Sequence, residues 1–219
     1  MTRRIGVFGG SFDPIHIGHL LIASDICDQL ALDAVHFVLA PRPPHKLRLM
    51  AADEDRIAML RLAIEPDPRF ILDLREFERP GLSYSVQTLA SFAAECPEAE
   101  RYFLMGEDSL ADFPTWYEPE RILDLAHLAV ACRPGRDADP GEIIRRLPIG
   151  RDRIHMVETP ELAISSSLIR ERRRRGELIR YLVPASVEQY IVEQGLYRAE
   201  DLPESALIDA SIADSRPTD

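Results

Sequence analysis

Two histidines three residues apart, His16 and His19, stand in the string GGSFDPIHIGHL at residues 9–20. An apolar run (residues 3–9) leads into this string, and a helical pattern starts near Gly18. Gly9 and Gly10 permit backbone conformations that other residues avoid, and they let a ligand approach the main chain. A helix start offers unpaired N–H groups and the positive end of the helix dipole, which together favour an anion, phosphate above all. The histidine pair has three readings: packing, a metal pair, or contact with phosphate. No third ligand at a sensible spacing accompanies it, and imidazoles at a Gly-rich strand-to-helix turn favour phosphate. The spelling excludes two common phosphate loops. The glycines fall at 6, 9, 10 and 18, so G-x-G-x-x-G is absent, and so is G-x-x-x-x-G-K-[ST].

Near the other end of the chain, ISSSLIRERRRRG (164–176) offers a second anion site. Ser165 suits an N-cap, and Ser166 and Ser167 add hydroxyls beside free N–H groups. Capping alone explains one serine. Three serines ahead of Arg170 suggest a further role, while Arg172 to Arg175 read as a solvated helix face. PRPPHK (41–46) is a rigid loop with cationic tips at His45 and Lys46. In MGEDSLADFPTWYEPERIL (105–123), Gly106 opens a close-approach turn, and Asp108 can accept hydrogen bonds from a ribose. Trp116 is the only tryptophan. Core filling is the usual place for that side chain, but a polar surrounding segment favours an aromatic platform for a flat ring.

These residues need a scaffold, and the chain supplies alternating elements. Short β-rich runs fall at 3–9, 34–40, 69–74, 101–106, 127–132 and 153–159, with helical patterns at 18–30, 53–65, 84–95, 166–175 and 184–194. Ile57, Leu60 and Ile64 share one face of the second helix, and Val86, Leu89, Phe92 and Ala93 one face of the third. Pro184 and Gly195 bracket the last helix in the expected order. Alternation of this kind implies an α/β fold, a Rossmann-like, doubly wound parallel sheet in three α/β/α layers. Such sheets bind ligands beyond the carboxyl ends of their strands, near a topological switch point.

Length and composition agree with one such domain. The 219 residues are 46% hydrophobic and 29% charged, ordinary for a globular protein. No apolar run is long enough to cross a bilayer, and the N-terminus reads as a strand, not a signal peptide. Cys27, Cys96 and Cys132 fit neither a disulfide framework nor a zinc knuckle, so a reducing cytoplasm is the expected location. The net charge of −11 argues against nucleic-acid binding. The tail from 199 to 219 is acidic and rich in Ser, Pro and Ala, and reads as a disordered extension of a domain spanning 1–198.

H-x-G-H after an N-terminal strand resembles the signature of the nucleotidyltransferase superfamily, and GGSFDPIHIGH resembles its adenylyltransferase branch. With LSYSVQTL (82–89), GEDSL, FPTWYEPERIL and CRPG (132–135), the chain is similar to the bacterial nicotinate-nucleotide adenylyltransferases over about residues 3–197. The resemblance implies transfer of AMP from ATP to nicotinate mononucleotide, with deamido-NAD and pyrophosphate as products and Mg²⁺ carried by the ATP. It implies that His16, His19, Lys46 and Arg170 act in catalysis. Gly9, Gly10, Ser11, Phe12, Gly18, Gly106, Asp108, Ser165 and Ser167 then join His16, His19 and Arg170 around ATP. Asp13, Tyr84, Ser85, Trp116, Tyr117 and Arg133 fall to the mononucleotide, whose ring stacks on the tryptophan. Ser167 stands where relatives often have Thr, which keeps the hydroxyl. No membrane or nucleic-acid partner is implied, and no side chain is named as a metal ligand. Three rival readings remain: an enzyme preferring nicotinamide mononucleotide, a phosphopantetheine adenylyltransferase, and a non-catalytic nucleotide sensor.

Overall fold

Strands that are apolar at nearly every position need cover on both faces, the mark of a parallel sheet inside an α/β protein. The computed structural model describes residues 2–44, 49–132 and 151–199. It places six parallel strands in one sheet: β1 (Arg4–Gly10), β2 (Ala34–Leu39), β3 (Phe70–Asp73), β4 (Glu100–Gly106), β5 (His127–Cys132) and β6 (Ile154–Glu158). Their spatial order is β3-β2-β1-β4-β5-β6. The chain thus winds outward in one direction through β1, β2 and β3, then returns to the centre and winds the other way. The switch point lies between β1 and β4. Register places Gly10 opposite Leu39 and Gly106 opposite Ala131, so two glycine-ended strands finish side by side at this crevice.

The period of two along each strand sorts side chains into two cores. Phe8, Phe37, Leu104 and Ala129 face one layer, where they meet Ala23 and Ile26 of α1 (Ile17–Gln29) and Met59 and Leu60 of α2 (Asp53–Ile64). Ile5, Val7, Phe103 and Val130 face the other, against Val86, Leu89 and Phe92 of α3 (Ser85–Glu95). Two short helices, α4 (Glu107–Asp112) and α5 (Pro119–Leu125), close this second layer through Leu110, Ile122 and Leu123. Late in the chain, α6 (Ser166–Arg174) and α7 (Ala185–Glu193) return to the first layer through Ile169, Val187 and Ile191. The result is the expected three-layer, doubly wound α/β fold.

Two details differ from the sequence expectation. The polar segment PTWYEPE (114–120), read as a loop around Trp116, is bounded by α4 and a 3₁₀ turn at Phe113–Thr115 on one side and runs into α5 on the other. Pro119 in the first turn of α5 supplies a preset φ where no N–H is needed. Second, neither Gly9 nor Gly10 adopts a left-handed conformation; in the phosphate turn that falls to Phe12, at φ +42. The acidic tail, for which disorder is expected, lies outside the described residues from 200 onward. Among the described residues no helix is long and apolar enough to cross a membrane.

Candidate active site

The turn after β1 is held in place before any ligand arrives. Phe12 folds back beneath the end of the strand, 1% exposed, with its ring edge-on to Phe8 and to His19. A Cβ on Gly10 would lie 2.9 Å from the Phe12 ring, so only glycine leaves room for this fold-back. Close approach, not φ freedom, is the reason for Gly10. His16 is the N-cap of α1, and its backbone N–H donates to Nδ1 of His19 at 3.2 Å. The two imidazoles stack, with centroids 3.6 Å apart. A Cβ on Gly18 would meet the His16 ring at 3.1 Å, so this glycine makes room for the stacked imidazole.

His16 is 6% exposed, and its Nδ1 is buried without a hydrogen-bond partner. Burial disfavours the charged form and lowers its pKa from 6.5 to about 4. The ring is therefore neutral at pH 7. In His19, Nδ1 accepts the backbone bond, which leaves the ring proton on Nε2 as a donor.

The start of α6 docks directly on this turn. Ser165 is its N-cap, its Oγ accepting from the Leu168 N–H at 3.1 Å. Ser166 Oγ donates to the Pro14 carbonyl at 2.9 Å, and Arg170 Nη1 donates to the Asp13 carbonyl at 2.6 Å. Arg170 Nη2 donates to Ser167 Oγ at 3.0 Å. The two helix starts, separated by about 150 residues of chain, are thus joined by hydrogen bonds.

Gly9, Gly10 and Ser11 also form one wall of a cleft of about 500 Å³. Its other walls include Tyr84 and Ser85 at the start of α3, and Trp116 and Tyr117 before α5. Trp116 lies between core and cleft. One part packs edge-on to Phe103 in the second core, at 5.8 Å between centroids, and another faces the cleft. Tyr84 and Tyr117 rings lie 4.6 Å apart across the mouth. Glu76, marked by no motif or spacing, also lines the cleft.

The remaining expected residues fall into three groups. Gly106 caps α4 at the end of β4 with open space where a Cβ would stand, and Asp108 is exposed in the first turn of α4. Both sit at the switch point without forming part of the aromatic cleft. Asp13, expected beside the mononucleotide, is 2% exposed, and its carboxylate accepts from Met50 N at 2.8 Å, Ala51 N at 3.2 Å and Tyr197 Oη at 2.7 Å. It ties distant chain segments together beneath the turn. Lys46, His45 and Arg133 lie outside the described residues. Among the described residues, no three His, Cys, Asp or Glu side chains converge as a metal set.

Arg56 and Tyr197 are the site residues that sequence reading missed. Arg56 is fully buried and donates through Nη1 to the carbonyls of Ser11 and Ala40, and through Nη2 to Asp53. Arg56 stands among acids in a helix of ordinary pattern, where an arginine reads as surface. Tyr197 lies beyond the last helix, with nothing local to mark it.

Comparison with known proteins agrees with this geometry. The cytidylyltransferase-like family pattern matches residues 7–172. The probable nicotinate-nucleotide adenylyltransferase of Thermomicrobium roseum is 47% identical over 196 residues, covering 89% of this chain and 92% of that protein. The corresponding Thermus thermophilus protein is 45% identical over 195 residues, covering 89% of this chain and all of its own. The chain belongs to the nicotinate-nucleotide adenylyltransferase family. Among solved structures, the Plasmodium falciparum nicotinic acid mononucleotide adenylyltransferase complexed with NaAD superposes with a TM-score of 0.73. At 22% identity, over 89% of this chain and 97% of that one, it supports the family's fold.

Proposed function

We propose that the protein transfers the adenylyl group of MgATP to nicotinate mononucleotide, releasing pyrophosphate and forming deamido-NAD. The observation that carries this reading is that the α1 and α6 starts are bonded together at a turn that also walls an aromatic cleft. A triphosphate site and a flat-ring site then share one boundary, Gly9 to Ser11. The names of the curated relatives support the same reaction.

The 5′-phosphate of the mononucleotide attacks the α-phosphorus in line, one P–O bond forms and another breaks, and pyrophosphate leaves. The nucleophile is already anionic at neutral pH, so no general base is required. The barrier lies in bringing two polyanions together in alignment, which fixed donors and positive charge reduce. His19 donates through Nε2, and His16 enters as a neutral imidazole whose Nδ1 lacks a protein partner. Ser167, Arg170 and the N–H groups of the α6 start face the same anion. Lys46 supplies a further cation, and Mg²⁺ arrives as part of the ATP substrate, keeping most of its waters. Trp116 carries the pyridine ring.

Helix α3 begins at Ser85 in the cleft wall. The N–H groups of Gln87 and Thr88 donate to the Tyr84 carbonyl, while those of Ser85 and Val86 lie ahead of them at the positive end of the helix dipole. Such donors accept both oxygens of a carboxylate, whereas an amide would direct its own NH₂ at one of them. Pyrophosphate release with Mg²⁺, ATP and each mononucleotide in turn tests both claims. We expect turnover with the acid to exceed turnover with the amide by at least about tenfold. Faster use of the amide overturns the selectivity, and no release with either overturns the enzyme.

A further inference from the structure

We propose that Arg56 and Ser166 are positioning residues which, with Arg170, hold the carbonyl oxygens of the phosphate turn away from the nucleotide. This rests on the adenylyl-transfer reading and adds a device that arms the turn. A loop that binds a triphosphate must present N–H groups and hide its carbonyls, because each C=O directs partial negative charge at whatever it faces.

Of the seven carbonyls from Gly10 to His16, five accept hydrogen bonds as follows. Gly10 O accepts from Ala40 N at 2.9 Å. Ser11 O accepts from Arg56 Nη1 at 2.8 Å, Asp13 O from Arg170 Nη1 at 2.6 Å, and Pro14 O from Ser166 Oγ at 2.9 Å. His16 O accepts from the N–H groups of His19 and Leu20. Three of these five carbonyls are therefore held by side chains from α2 or α6.

Arg56 is the unusual member. Its guanidinium is wholly buried, although burying a charge is costly unless it is paired and hydrogen-bonded. Its one acidic partner, Asp53, has a side chain 46% exposed. Two of its three bonds go to main-chain carbonyls at the ends of β1 and β2. A planar fork spans those two oxygens and the carboxylate together, which a lysine ammonium cannot do. Ser166, beside the serines matched to the family motif, serves Pro14 from the opposite side.

Full-length wild type, Arg56→Lys and Ser166→Ala provide the test. Three quantities are measured, the first two at a temperature where each protein remains folded. These are pyrophosphate release as a function of MgATP, nicotinate mononucleotide affinity from the fluorescence of Trp116, and the thermal unfolding midpoint. Misplaced phosphate donors should lower kcat/KM for ATP about 10²-fold in Arg56→Lys and about tenfold in Ser166→Ala. Mononucleotide affinity, read in the aromatic cleft, should change by less than about threefold. Parallel loss of both substrates, or a lower midpoint with unchanged turnover, would mark these residues as merely structural and overturn the proposal. If Arg56→Lys does not fold, Ser166→Ala decides, and wild-type kcat/KM for ATP in that variant overturns the proposal. An inactive wild type sinks the reaction assignment and this inference with it. Unaffected variants of an active parent sink this inference alone.

Discussion

His16 and His19 stack on one another, yet they stand in different electrical situations. The His16 ring is shut away from water with an unpartnered Nδ1. Burial lowers its pKa and holds it neutral at pH 7. His19 offers one directed N–H because its other nitrogen is already bonded to the main chain. Removing that donor in His19→Ala should leave the fold intact and reduce turnover about 10²–10³-fold in steady-state assays. Near-normal turnover would make the ring a packing element. The depressed pKa of His16 has a thermodynamic consequence with a definite sign. Its folded pKa, about 4, lies below the unfolded 6.5, so the unfolded state binds the extra proton first. Folding stability should fall as pH drops from about 6.5 towards about 4. The contribution of this one ring is on the order of 3 kcal/mol at most. Burial also lowers the pKa of His127 and His155, which add slope of the same sign. The decisive measurement is therefore the difference between urea unfolding of wild type and of His16→Asn across that window. Curves of equal slope would contradict it.

The strands and the longer helices announce themselves most plainly where several apolar residues share a buried face, as Met59, Leu60, Ala63 and Ile64 do in α2, whereas α6 buries Ile169 alone and is marked by its serine N-cap. The two short helices do not. α4 and α5 have six and seven residues, under two turns, so neither can display a repeat, and their Pro, Asp and Glu content reads as loop. The site shows the same division. The histidine pair, the serine-capped helix start and the lone tryptophan are local signals, and each falls in or beside the shared cleft. The engagement of Asp13 leaves no local sign because its partners, Met50, Ala51 and Tyr197, are 37 to 184 residues away, a distance no local reading spans. Arg56 escaped notice for the same reason. The long-range bonds themselves give α6 its double duty. One side of its first turn meets the phosphate turn through Ser166 and Arg170, while Ile169 is driven into the first core at 0% exposure. Moving this helix would disturb packing and anion site together.

Across the whole molecule, the last described stretch returns to where the chain began. After α7, Gly195 turns the chain at φ +67, and Tyr197, 5% exposed, reaches Asp13 beneath the phosphate turn. Burial, then the neighbouring Asp13 carboxylate, raises the pKa of this phenol, so it donates its proton throughout the physiological range. Where the chain is cut should therefore matter sharply. A protein ending after Arg198 keeps Tyr197 and its bond to Asp13, and should keep turnover within about twofold. One ending after Leu196 leaves a buried carboxylate short of a donor, a loss of about 1–3 kcal/mol. Its activity should fall with its unfolding midpoint. Equal behaviour of the two truncations would remove Tyr197 from the account.

The Asp13–Tyr197 bond also orders events in time. A chain emerging from the ribosome presents its glycine turn long before the phenol that steadies it. The central strands can pair while synthesis continues, but the turn after β1 has to wait for Tyr197. A polypeptide still short of that residue would own both stacked histidines and yet lack the prop beneath them.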